Sequence, residues 1–102
     1  MTIISGTTPT ISFTFSEVNV SDIAVAILTV KVSGETLIEK DLSDAGIGDN
    51  IITWELTQEE TLKLKPGTIC KVCCDWKLND GTRGRSNVGS YTVENSGINE
   101  VI

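Results

Sequence analysis

Thr68-Ile69-Cys70-Lys71-Val72-Cys73-Cys74-Asp75-Trp76-Lys77-Leu78 is the longest alternating run in the chain. Side chains on a strand point to opposite faces in turn. The run therefore puts Cys70, Val72, Cys74, Trp76 and Leu78 on one face, and Ile69, Lys71, Cys73, Asp75 and Lys77 on the other. That pattern predicts a central strand with a mainly apolar inner side. Asn79-Asp80-Gly81 supplies the residues that tight hairpin turns require, so the chain is expected to turn there and return through Arg85 to Val93, ahead of an uneven tail from Glu94 to Ile102.

Working back toward the N-terminus, Thr57-Gln58-Glu59-Glu60 reads as a capping box: the Thr57 hydroxyl accepts from the backbone of Glu60, and the Glu60 carboxylate reaches back. A turn or two of helix follows, and Pro66-Gly67 closes it. Such a short crossing can carry the chain from one sheet to another. Ile51 to Leu56 alternates, with Ile52, Trp54 and Leu56 on one face. Asp41 to Asn50, with its glycines and three aspartates, has loop composition. Glu35 to Lys40 and the longer Ile23 to Val32 form a hairpin about Ser33-Gly34. The apolar phase of Ile23 to Val32 changes along its length, which implies either covered faces on both sides or a bulge near Ile27. Thr10 to Phe15 places Ile11, Phe13 and Phe15 on one side and hydroxyls on the other. Six or seven short strands and one helical turn predict an all-β, two-layer antiparallel sandwich of immunoglobulin or fibronectin type.

The chain's 102 residues allow one core, expected over residues 10–93 between a flexible N-terminal segment and a C-terminal tail. Its 39% apolar and 22% charged residues suit a folded domain rather than a disordered one. A net charge of −6 disfavours a nucleic-acid partner, whose binding depends on Lys and Arg neutralising phosphates, and disfavours anionic membrane for the same reason. Histidine is absent, which removes the usual acid-base group near neutral pH and the commonest metal ligand. The opening residues have no basic start and no apolar block, so neither export nor anchoring is expected.

Cys70, Cys73 and Cys74 invite a zinc or redox reading. Alternation sends Cys73 away from the other two, and no second ligand pair stands elsewhere. They are expected to be buried structural thiols in a protein made in a reducing cytoplasm, with no metal and no cofactor. Trp54 and Trp76 are expected to pack between the sheets. Asp41, Asp44 and Asp49 lack calcium-loop spacing and read as a solvated turn. Glu59 and Glu60, adjacent on a helix, diverge and do not form a catalytic carboxylate pair. No catalytic constellation is expected. The best contact candidates are Arg83 and Arg85, which flank Gly84 with guanidinium forks and free backbone amides suited to a carboxylate-bearing partner. The terminal segments add to them: Val101 and Ile102 following Asn99-Glu100, and Met1 to Ile4 at the other end, for docking into a neighbour.

The order Ile11-x-Phe13-x-Phe15, Ile52-Thr53-Trp54-Glu55-Leu56-Thr57-Gln58-Glu59-Glu60-Thr61, Pro66-Gly67, Trp76-Lys77-Leu78-Asn79-Asp80-Gly81-Thr82 resembles small phage and prophage tail-region proteins of Gram-positive bacteria. It is most similar to the N-terminal β-sandwich of phage baseplate upper proteins, over roughly Thr10 to Val93. The resemblance implies a non-catalytic virion structural protein of tail, baseplate or neck. It would be made in the host bacterial cytoplasm and would bind other virion proteins or copies of itself as a homo-oligomer or an assembly-dependent one. The rival expectation is a bacterial immunoglobulin-like binding module that recognises a surface protein or glycan.

Overall fold

The computed structural model describes residues 2–16, 18–86 and 88–95. Among them nine strands and one short helix are laid out as β1 (Thr2–Ser5), β2 (Thr10–Thr14), β3 (Ile23–Val32), β4 (Glu35–Asp41), β5 (Gly46–Gly48), β6 (Ile51–Glu55), α1 (Gln58–Leu62), β7 (Ile69–Leu78), β8 (Arg83–Arg85) and β9 (Gly89–Asn95). The larger sheet runs β1-β9-β7-β3-β4, with β8 also on β7, and the smaller runs β2-β6-β5. The fold is all-β and sandwich-like, as the alternation implies.

β7 is the central strand of the larger sheet. It pairs antiparallel with β3 over most of its length, with β9 along residues 69–72 and with β8 along residues 75–77. Its inward residues Cys70, Val72 and Cys74 are buried, and β3 sets the buried Val30, Leu28 and Ala26 on the same inner face. The smaller sheet closes the core with Ile11, Ile52, Trp54 and Leu56. The phase change in β3 comes from a register shift against β7 between Ile23 and Val25, earlier than Ile27. Ile23 faces in, Val25 faces out at 43% exposure, and Ala26, Leu28 and Val30 face in again. The β3–β4 turn has φ of 53° at Ser33 and 82° at Gly34, the two left-handed residues of the hairpin turn whose twist suits the strands.

Nine strands stand among the described residues where six or seven are expected. β5 is a three-residue strand inside the Asp41–Asn50 loop, and the return after Asp80-Gly81 is split into β8 and β9. The N-terminal segment, expected to be flexible or to dock elsewhere, instead forms β1, parallel to β9, with Ile3 only 1% exposed. The anchor is Thr61 of α1. Its hydroxyl donates to the Thr7 carbonyl at 2.7 Å and accepts from the Gly6 N–H at 3.0 Å, while the Ser5 hydroxyl donates to its carbonyl. A buried hydroxyl must find partners, and Thr61 finds them in this segment. Met1, Val101 and Ile102 lie outside the described residues.

The capping box forms as the sequence predicts. Glu60 N–H donates to the Thr57 hydroxyl at 3.2 Å, and Thr57 N–H donates to the Glu60 carboxylate at 2.8 Å. Because β6 belongs to one sheet and β7 to the other, α1 is the crossing between layers. Two further ties join the layers. Trp54 Nε1 donates to the Asp41 carbonyl at 2.9 Å, and Lys40 Nζ donates to the Glu55 carbonyl at 2.8 Å while pairing with Glu60 at 2.9 Å.

Candidate contact surface

β8 owes its position to the Asp80 turn. The Asp80 carboxylate accepts from Thr82 N–H at 2.8 Å, and Leu78 N–H then donates to the Thr82 carbonyl. At the far end Ser86 N–H donates to the Cys74 carbonyl. Antiparallel pairs alternate, so Thr82, Gly84 and Ser86 bond to β7 while the main-chain groups of Arg83 and Arg85 face away from it. The sequence reading puts the two arginines on a contact loop; they lie instead on a short strand, with side chains exposed and main chain on a sheet edge. Arg85 forks onto Asp75, through Nε to one carboxylate oxygen and through the terminal nitrogen to the other at 3.3 Å. The Asp75 hydrogen bond, and after it the Asp75 charge, hold the guanidinium still more firmly protonated. Arg83 makes no ion pair among the described residues.

Gly84 has a role that its sequence context does not announce. It sits opposite Trp76, and a Cβ built on it would lie 2.1 Å from an indole carbon. The indole lies across the glycine. Its other neighbour is Phe15, edge-on at a centroid distance of 6.3 Å. The alternation predicts Trp76 between the sheets; it packs instead at the core's rim, partly exposed. β2 ends at Thr14, and no strand of the smaller sheet lies beyond it on that side among the described residues. Phe13, Phe15, Val18, Trp76 and Arg85 thus line a groove of about 470 Å³ along the open side of the sandwich, with β2 on one bank and β8 on the other.

The remaining candidates are structural. Cys70, Cys73 and Cys74 are free and buried. Burial pushes the Cys70 thiol up. It does the same for Cys74, which reaches about 12 with lesser help from the Asp75 and Cys73 charges, so neither presents a thiolate near neutral pH. Cys73 faces the opposite side of the sheet, beside Thr29. Asp41 accepts from Ser43 N–H at 2.9 Å and caps a 3-10 turn over Leu42–Asp44; the Ser43 side-chain and main-chain hydrogen bonds hold its carboxyl below the usual range. No cluster of three His, Cys, Asp or Glu side chains is placed to hold a metal among the described residues. No helix among them is long and apolar enough to cross a membrane.

Comparison of the chain with protein-family models, with curated proteins and with solved structures finds no match.

Proposed function

We infer that this chain is a non-catalytic structural protein of a phage virion, of tail, baseplate or neck, working through protein–protein contacts. The setting rests on the sequence resemblance and the mode of action on the surface. The observation that carries the contact reading is the open side of the sandwich, where a groove holding aromatic rings runs between two sheet edges that are unpaired among the described residues, one of them carrying Arg83 and Arg85. Unpaired edges invite a further strand, and a groove that sets the Phe13 and Trp76 rings among Ser12, Thr14, Ser16, Arg85 and Ser86 is an ordinary contact site. Several reactive side chains are engaged: Glu60 holds Thr57 and Lys40, Asp75 holds Arg85, and the thiols are buried.

Mass spectrometry of purified particles from the host that carries the coding sequence tests the virion setting. The expected result is many copies of the chain per particle. Expression in the host with no chain in the particles overturns it.

A further inference from the structure

On the outward face of the six-stranded sheet, arginines stand on the β8 edge and acids on the β4 edge. The inward positions of β7 are apolar, so its odd-numbered residues point outward, and the pairings carry that outward face across the sheet. On it stand Lys31, Lys71, Lys77, Arg83 and Arg85, five of the chain's eight basic residues, together with the acids Asp75, which pairs with Arg85, and Glu94, although the protein is net −6. Lys31 and Lys71 are direct cross-strand partners, an arrangement that costs stability in isolation. At the β4 end the outward residues include Glu39 and Asp41. The one base of β4, Lys40, is turned to the inside by Glu60 and the Glu55 carbonyl, so the charges on the outer side of that edge are acidic. β4 and β8 are three strand spacings apart, about 14 Å, which exceeds the screening length of roughly 8–10 Å at physiological salt. Glu39 and Asp41 on the β4 edge therefore do not neutralise Arg83 on the β8 edge within one molecule.

We propose that β8 of one copy and β4 of a second copy lie side by side, continuing the six-stranded sheet from molecule to molecule in a head-to-tail contact. Both strands are sheet edges. β1 flanks β9 only from Thr92 onward, so it does not cover the β8 edge. Charge selects the pairing. Two β4 edges would set acid against acid and two β8 edges would set arginine against arginine, whereas the unlike pair places Glu39 and Asp41 beside Arg83, the β8 guanidinium that makes no ion pair among the described residues, next to Arg85 already held by Asp75. A heterologous contact of this kind repeats, giving a ring where the rotation closes and a filament where it does not. The inference deepens the protein-contact reading and is independent of the virion setting.

Sedimentation velocity at low salt, over concentrations up to ~1 mM, tests it with two exposed single variants, Arg83→Glu and Glu39→Lys. The wild-type chain is expected to gain mass with concentration and to lose that gain as salt rises. Each variant alone should self-associate at least roughly tenfold more weakly, because each makes its two edges more alike in sign. An equimolar mixture should recover association, since the acidic β8 edge of the Arg83→Glu chain then meets the lysine-bearing β4 of the other. Circular dichroism confirms that both variants fold. A wild-type chain that stays monomeric throughout, variants that associate like wild type, or a mixture that recovers nothing each overturns the proposal. Particle mass spectrometry reads the virion setting separately, so the two can fail independently.

Discussion

Trp54 and Trp76 occupy equivalent places in the sequence pattern and different places in the molecule. Each lies on the apolar phase of a strand, and each is met edge-on by a phenylalanine of the β2 segment, Phe13 at 5.9 Å and Phe15 at 6.3 Å. Trp54 is nevertheless 0% exposed, with its N–H satisfied by the Asp41 carbonyl, while Trp76 forms the wall of an open groove. The difference lies in what comes from the other side. The Asp41 carbonyl at the end of β4 meets the Trp54 N–H, whereas the strand beside Trp76 offers its ring the backbone of Gly84. An inward indole becomes core where the opposing layer extends over it, and becomes a surface where that layer stops short.

The largest expected effect breaks the comparison at its buried member. Trp54→Ala should cost about 3–5 kcal/mol, since it leaves a cavity between the sheets and strips the Asp41 carbonyl of its donor. A domain of this size commonly has only about 5–15 kcal/mol to lose. Trp76→Ala should cost roughly half as much, because the ring is already partly in water. Urea unfolding of both variants measures the pair, and equal costs would mean that Trp76 is as much a part of the core as Trp54.

Gly84→Ala sharpens the comparison from the other side. A methyl group 2.1 Å from the indole cannot be accommodated without moving the ring, at a cost of about 1–3 kcal/mol. With Trp54 replaced by Phe so that Trp76 alone reports, its emission should shift to the red as the ring is pushed into water. An unshifted spectrum with unchanged stability would show that the indole does not lie on Gly84.

These outcomes concern features of unequal visibility in the sequence. The bounds of β3 and the Thr57–Glu60 capping box are legible because each is a local pattern with a local cause. β7 is legible too, its bounds differing only by Thr68. β1 is not: four residues are too few to show a period, and its burial depends on Thr61, more than fifty positions away. β5 is hidden in a loop composition because its pairing with β6, not its own residues, makes it a strand. At the contact surface, Arg83 and Arg85 are marked by residue type. The role of Gly84 is not, since the reason for a glycine there is an indole on the neighbouring strand. The polarity of the larger sheet is equally hidden, because net charge says nothing about which strands become neighbours.

The smallest effect separates the ion pairs beside the two tryptophans. Lys40–Glu60 ties the layers near Trp54, with side chains 12% and 19% exposed, while Asp75–Arg85 lies on the open side with Arg85 at 61% and Asp75 at 39%. Burial alone would push the Glu60 carboxyl up, but the Lys40 hydrogen bond, the Thr57 N–H and the Lys40 charge outweigh it and hold the group below its ordinary value of 4.5. A carboxyl with a depressed folded pKa binds protons more readily in the unfolded chain. Its contribution is therefore complete above pH 4.5 and fades as pH falls through the lower folded value. Glu60→Gln should cost about 1 kcal/mol at neutral pH. Its melting temperature should converge on that of the wild type as the solution is acidified below pH 4.5. Asp75→Asn, on the exposed side, should cost less at neutral pH and less still in high salt. A Glu60→Gln deficit that persisted unchanged into acid would show that the carboxylate charge contributes nothing to closing the sandwich beside Trp54.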